Sequence, residues 1–333
     1  MKAFVLDRYG KQRALQLTDA PTPPCRDDDV LIDVHAASVN LLDAKLRNGE
    51  FKFILRYAMP LVLGHDVAGV VAAVGSRVQS FKVGDEVYAR ADDMRIGTFA
   101  EQIAIKASSV ALKPTTLSMA EAASLPLVGL TAWQALVERA AVRKGQDVFI
   151  QAGSGGVGTF AIQLARHLGA RVATTTSAAN ADLVRRLGAN IVVDYKSQDF
   201  EQVLRDQDLV LNSQDNATLM KSLRVLKPGG RLISISGPPD PAFARQIEAP
   251  AVLRGLLWLL SAGVRRQARA RGIHYSFLFM RAEGSQLREI AQLVDAGVIR
   301  PVIDKVYPFA STNEALAHVE GGRAKGKVVI AMR

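Results

Sequence analysis

Short apolar runs broken by Pro, Gly and Asp clusters fill the first third of the chain. MKAFVLD, VLIDVHAASV, VAGVVAAVG and DEVYAR have strand composition, and PTPP, RDDD and VGD separate them as turns. The pattern changes after about Pro114. Helix-like spacing over Met119–Ser124 leads into LPLVGLTAW, and from Asp147 strands and helices alternate. VFIQA is a short buried strand, Thr159–Leu168 has helical apolar spacing (Ile162, Leu164, Ala165, Leu168), and Gly169 stops that helix. RVATT, IVV from Ile191, LVLN from Leu209, RLISI from Arg231 and YSFLFM from Tyr275 read as further strands. Helical stretches near Ala181–Leu187 and Ala217–Leu226 lie between some of them, and the turn LKPGG precedes RLISI. An amphipathic helix (Leu287, Ile290, Leu293, Val294) follows Glu283. Buried strands alternating with helices predict an α/β unit with a parallel, doubly wound sheet behind a β-rich first unit.

A length of 333 residues suits two domains. With 49% hydrophobic and 22% charged residues, the composition is that of a globular chain and excludes intrinsic disorder. A single cysteine, Cys25, excludes an intramolecular disulfide and a cysteine-rich zinc site, and points to a reduced, cytoplasmic compartment. MKAFVLD meets an acid too early for a signal peptide, and the uncharged run Val148–Ala165 reads as strand, turn and helix rather than a membrane span.

The net charge of +10 and pI near 9.8 favour anionic ligands, a phosphorylated cofactor among them. Arg265, Arg266, Arg269 and Arg271 follow the apolar stretch Val252–Val264, which is interrupted by Arg254. The arginines read as a solvated helix face, with a membrane surface or acidic partner as the alternative. The apolar stretch reads as core or dimer packing ahead of a substrate wall.

Gly153-Ser154-Gly155-Gly156-Val157-Gly158 fits G-x-G-x-x-G directly between an apolar strand and an amphipathic helix. In that setting the first glycine permits the turn, the second lets backbone approach a diphosphate, and the third lets helix pack on strand. Helix-start N–H groups then favour the anion. An NAD site places an acid about 20 residues further on, to bond the ribose 2′-hydroxyl. Counting from Gly153 lands in Ala173–Ser177, which has hydroxyls and no acid, so NADPH is expected over NADH.

With SVNLLD, LVLGHDVAGVVAAVG, FKVGDEVYA, GTFAEQ, LPLVGLTAW, AGSGGVGTFAIQLA, LKPGGRLISI and GRAKGKVVI in this order, the chain resembles the medium-chain dehydrogenase/reductase superfamily. More narrowly, it is similar to the zinc-free quinone oxidoreductase and NADPH-dependent alkenal/enone reductase branch. The resemblance implies a GroES-like β-rich catalytic domain over residues 1–123 and a Rossmann NADP-binding domain over 124–280. A return to the catalytic domain follows over 281–333, and a homodimer through Rossmann-domain edges is implied.

The resemblance also implies site roles. Ser154, Gly155, Gly156 and Val157 would cradle the pyrophosphate, and Thr176, Ser177 and Tyr195 would surround the 2′-phosphoadenosine. Asn180 stands where the family often has a lysine, and Arg323 matches an arginine that reaches the same phosphate. Thr131 and the backbone of Ile235, Ser236 and Gly237 match positions beside the nicotinamide.

Zinc relatives use a Cys, a His in a GHE motif and a second Cys or Asp. Here the first position is Asn40, the motif reads Gly64-His65-Asp66, and LPLVGLTAW supplies no thiolate. One ligand of about three survives, so no metal is expected, and His65 and Asp66 read as turn or pocket residues. Without a Lewis acid, a conjugated carbonyl or quinone is an easier hydride acceptor than a simple alcohol's partner carbonyl. Asn40 is the candidate donor to the developing oxyanion, or a hydrogen-bonded turn residue. Some relatives have a tyrosine where this chain has Phe51, which cannot donate a proton. Tyr57 and Tyr275 are the substitute acids, with packing roles and protonation by water as alternatives. Arg47–Met59, Leu253–Leu260 and Tyr275–Phe279 would shape a hydrophobic substrate site.

The expected activity is therefore zinc-independent, NADPH-dependent hydride transfer to quinones or α,β-unsaturated carbonyls. No nucleic acid and no stable membrane insertion are expected. A zinc-dependent alcohol dehydrogenase and a non-catalytic, NADPH-bound binding or scaffold protein are the alternatives.

Overall fold

Asp29–Val39, buried on alternate residues through its middle, is the strand around which the first folding unit is built. In this computed structural model, which describes residues 1–332, it pairs antiparallel with Asp66–Val74, Gln102–Lys106 and the C-terminal strand Lys327–Ala331. The full sheet has seven strands, with Ile303–Pro308 beyond Lys327–Ala331, and Glu86–Arg90 then Val110–Leu112 beyond Asp66–Val74. A three-stranded sheet centred on Lys2–Leu6 completes the β-rich part. The amphipathic helix Gly284–Asp295 packs on this unit through Leu287 and Ile290, and the Tyr88 hydroxyl donates to the Leu287 carbonyl at 2.5 Å. The last fifty residues thus return to the unit formed by the first 130, as the register Val328↔Val39 shows directly.

The second unit, residues 131–280, holds a six-stranded sheet whose strands all pair in parallel. Its order is Ile191–Asp194, Arg171–Thr176, Asp147–Ile150, Gln207–Asn212, Leu226–Ser234, His274–Phe277. Numbered within the unit this is 3-2-1-4-5-6, the doubly wound order of dinucleotide-binding folds. Strands buried on both faces need apolar residues throughout, and Val148, Phe149, Val210 and Leu232 are all fully buried. Phe149 stacks at a tilt on Phe200, their ring centroids 5.1 Å apart, within a cluster that includes Val193, Leu219 and Leu223.

Several sequence expectations shift by local chemistry. The first unit extends to Leu130 rather than residue 123, because the Leu127 N–H donates to the Asp66 carboxylate at 2.8 Å and ties the start of helix Pro126–Trp133 to it. The glycine-loop helix starts at Gly156 rather than Thr159. The helix expected to reach Leu226 stops at Ser222, and LKPGG is absorbed into the strand Leu226–Ser234, where Gly229 takes a positive φ of 81°. Val252–Val264 is core only in part: Leu257, Ser261 and Val264 are buried, and the rest is not. It divides into helices Ala251–Leu260 and Ala262–Ala270, and most of the first lies open to solvent.

Candidate cofactor and active sites

The glycine loop follows the central strand Asp147–Ile150 and opens the helix Gly156–His167. Gly155 is the N-cap and brings no side chain to it, so the N–H groups of the first turn keep their capacity for an outside acceptor. A Cβ on Gly155 would meet only the Ala152 carbonyl oxygen, at 3.3 Å, leaving bare backbone of the kind a diphosphate needs. A Cβ on Gly158 would collide with backbone, 2.7 Å from the Gly153 Cα, so this glycine sets how closely helix packs on turn. Ala152, entering the loop, sits at φ +51°, a left-handed conformation that costs a non-glycine residue energy and is found at ligand sites.

At the end of the neighbouring strand the expected ribose-end residues converge. The Thr176 hydroxyl donates to Ser154 Oγ at 2.9 Å, and the Asn180 amide reaches Ser154 Oγ at 3.3 Å and Ser177 Oγ at 3.4 Å. Ser154, Ser177 and Asn180 are half-buried, and Tyr195 is 61% exposed beside them, its N–H bonded to the Thr176 carbonyl. Counting along the chain missed one acid: Asp194 lies in register with Thr176 on the next strand. Its Oδ1 accepts the Lys196 N–H at 3.1 Å, which turns it onto its own loop.

The residues expected beside the nicotinamide are held by a buried polar chain that sequence reasoning did not single out. Gln151, Asn212 and Ser234 stand at the ends of three adjacent strands. Gln151 donates to Ser222 Oγ at 2.7 Å, Asn212 donates to Gln151 Oε1 at 2.6 Å, and Ser234 donates to Asn212 Oδ1 at 2.6 Å. Ser234 Oγ also accepts the Gly237 N–H at 2.8 Å, and Ile235 N–H donates to the Asn212 carbonyl. Ser236 donates to the Gln214 carbonyl at 2.6 Å. The only available signal was a polar residue closing each apolar strand. Thr131 is buried, on a helix that widens into a π turn at Gln134–Arg139. A cavity of about 290 Å³ lined by Arg139, Arg231 and His274 lies toward the opposite end of the strands from the glycine loop.

The first unit contains the second cluster. Asn40 precedes helix Leu41–Arg47, and its N–H donates to Asp43 Oδ2 at 2.7 Å. Asp43 Oδ1 meets His65 Nδ1 at 2.6 Å, and both side chains are fully buried. Strand register sets Ser38 opposite Asp66, and Ser38 Oγ donates to Asp66 Oδ2 at 2.7 Å. The Asn40 amide donates to the same oxygen at 2.9 Å and reaches the Ser38 carbonyl at 3.5 Å. Lys327, arriving on the C-terminal strand, donates to Asn40 Oδ1 and lies 3.3 Å from Asp66 Oδ2. Lys327 stands in the motif GRAKGKVVI, from which sequence reasoning assigned a role only to Arg323.

A catalytic zinc does not fit these residues. It needs about three protein ligands drawn from thiolate, imidazole and carboxylate. Here His65 Nε2 is buried without a partner, but Asn40 Oδ1 is engaged by an ammonium and Asp66 is saturated by four donors. Cys25 bonds the Asp29 carbonyl instead, and among the described residues no group of three His, Cys, Asp or Glu could hold a metal.

The two tyrosines considered as acids are committed elsewhere. The Tyr57 hydroxyl donates to the Asp93 carbonyl, and Tyr275 donates to the Pro238 carbonyl at 2.5 Å. Burial pushes both phenols well above their usual range, which makes them weaker proton donors. Of the segment Arg47–Met59, Arg47 is buried in an ion pair with Glu320, whereas Phe53 is exposed under Lys52. Arg323 is exposed in the turn before Lys327–Ala331.

Comparison with known proteins adds to this geometry. Residues 26–121 match the family described as alcohol dehydrogenase GroES-like domain, and residues 187–330 match the one described as zinc-binding dehydrogenase. The chain is 37% identical to the mitochondrial NAD(P)H oxidoreductase RTN4IP1 of Homo sapiens, over 99% of this chain and 89% of that one. It is 33% identical to the chloroplastic NADPH-dependent alkenal/one oxidoreductase of Arabidopsis thaliana, over 99% and 79%. The solved quinone oxidoreductase of Coxiella burnetii superposes with a TM-score of 0.88 at 31% identity, covering 100% and 99% of the two chains.

Proposed function

This chain belongs to the zinc-free branch of the medium-chain dehydrogenase/reductase superfamily, and on that premise we propose that it reduces quinones or α,β-unsaturated carbonyls with NADPH. It is an NAD(P)H oxidoreductase, and its cofactor is NADPH. The observation that carries the reading is the bare glycine turn at the head of Gly156–His167, beside a hydroxyl and amide cluster of Ser154, Thr176, Ser177 and Asn180 from which the neighbouring Asp194 is turned onto its own loop.

NADPH, when bound, supplies the hydride. First-turn N–H groups and Ser154 hold its diphosphate, and Thr176, Ser177 and Asn180 offer donors to the 2′-phosphate, with Tyr195 and Arg323 as further contacts. The chain Gln151–Asn212–Ser234 fixes the backbone of Ile235–Gly237 so that this strand end presents a constant surface beside the nicotinamide, with Thr131. Asn40 is the proposed donor to the substrate oxygen. Its bond to the Ser38 carbonyl, at 3.5 Å, is the weakest it makes and the one it can exchange. Protonation falls to water, because Tyr57 and Tyr275 give their protons to backbone carbonyls. An enolate or hydroquinone anion can accept that proton after the hydride step.

We propose a homodimer through the open edge strand His274–Phe277. A reducing, cytoplasmic compartment suits the lone thiol of Cys25, although the human relative is named mitochondrial and the plant relative chloroplastic. The test is oxidation of NADPH by purified protein against a panel of enals, enones and quinones, beside metal analysis of untreated protein. Turnover without stoichiometric zinc supports the reading. No NADPH oxidation with any acceptor, or zinc-dependent alcohol oxidation, refutes it.

A further inference from the structure

The helix Ala251–Leu260 turns its apolar side the wrong way for a core helix. Val252, Leu256, Leu259 and Leu260 recur at helical spacing and are 88%, 52%, 65% and 57% exposed. Trp258 is half exposed beside them. The inward side needs little of this material: Leu257, Ser261, Val264 and Ala268 are its buried residues. Five bulky apolar side chains held in water cost free energy unless something covers them.

Charge identifies the cover. No Asp or Glu occurs between Ala249 and Ala282, while Arg254, Arg265, Arg266, Arg269 and Arg271 fall on or just after the two helices. Arg265 reaches back across the joint, its Nη2 donating to the Trp258 carbonyl at 2.8 Å and its guanidinium lying 5.2 Å from the Trp258 ring centroid. Its Nε also donates to the buried Ser261 at 3.1 Å, so basic and apolar segments are locked together at one place. Aliphatic residues, an interfacial tryptophan and unopposed arginines on one short helical pair match the boundary between acyl chains and anionic headgroups. A second copy fits poorly. A two-fold contact sets a patch against itself, and five arginines without an acid would repel. No helix among the described residues is long and apolar enough to cross a membrane, so the contact is one of lying on the surface.

We propose that Ala251–Leu260 and Ala262–Ala270 form a docking surface for an anionic phospholipid bilayer, with Leu256, Leu259 and Trp258 entering the interface and Arg266 and Arg269 pairing with lipid phosphates. The proposal stands apart from the choice of reductase substrate.

Flotation of the full chain with vesicles of phosphatidylcholine, alone or with phosphatidylglycerol, tests it. Expected is binding to the anionic vesicles only, weakened about tenfold or more as salt rises from about 0.1 M to about 1 M, where the screening length falls from about 10 Å to about 3 Å. Leu256→Ser with Leu259→Ser should weaken binding by about tenfold or more, and Arg266→Gln with Arg269→Gln should do the same. NADPH affinity and thermal midpoint, measured on both variants, show that they are folded. Failure to float with anionic vesicles overturns the proposal. So does binding that survives the leucine changes, which would reflect only the chain's net charge. Self-association of the natural chain that the leucine changes abolish, without vesicle binding, assigns the face to a second copy and also overturns it.

Discussion

Replacing Lys327 with methionine should destabilise the first unit far more than loss of an ordinary lysine. The Lys327 side chain is 6% exposed and its partner Asp66 0%, so the pair lies outside the screening that makes surface ion pairs weak. The ammonium bonds Asn40 Oδ1 and the Val39 carbonyl as well as facing Asp66, and methionine fills the space while offering none of the three. Removing one partner of a buried pair costs about 3–5 kcal/mol, because the other charge stays buried with weaker compensation. For a unit of this size that corresponds to a fall of roughly 6–20 °C in its unfolding temperature. Calorimetry reads the transition, and NADPH affinity serves as the control, since the glycine loop belongs to the other unit. Adding Asp66→Asn should recover part of the loss, giving a coupling energy of about 0.5–3 kcal/mol. A cost for Lys327→Met below about 1 kcal/mol, the range of a surface pair, would refute the argument.

Gly158→Ala forces a Cβ against the backbone of Ala152 and Gly153, and overpacking of about 1–3 kcal/mol borne by the loop should weaken NADPH binding about 5- to 150-fold; unchanged affinity in a titration would contradict the assigned turn. Tyr57→Phe and Tyr275→Phe should each keep turnover within a few-fold of the natural chain, whereas a loss of about 100-fold or more in either would make that tyrosine the acid. The bidentate Arg95 guanidinium, at 2.6 and 2.8 Å, holds the Asp29 carboxyl below the usual range. Its stabilisation is therefore fully present above the unfolded value of about 3.9 and lost as pH falls through the lower folded value. Asp29→Asn should consequently be less stable than the natural chain near neutrality, with the gap closing in acid unfolding curves; a pH-independent gap would count against the pairing.

The turn chemistry of Gly153–Gly158, the strand at Asp147–Ile150 and the helix that follows were legible because each depends on residues a few positions apart. The hydroxyl cluster was legible too, since a fixed strand–turn–helix geometry converts a count of residues into a position in space. Asn40 was found by its place in a motif, but its bonds were not, because Asp66 and Lys327 reach it through strand register. The domain boundary moved by seven residues for a similar reason: one N–H, that of Leu127, finds its acceptor 61 residues away.

By itself the sequence determined the alternating architecture, the glycine turn and the loss of two of three zinc ligands, all set by local periodicity and residue identity. Only the tertiary structure decided that Lys327 meets Asp66 across 261 residues, that Gln151, Asn212 and Ser234 join end to end, and that Leu256, Leu259 and Leu260 face outward. A buried polar group takes whatever partner the strand register brings, and a helix buries whichever face its neighbours leave room for. Neither choice is written in the spacing of residues along the chain.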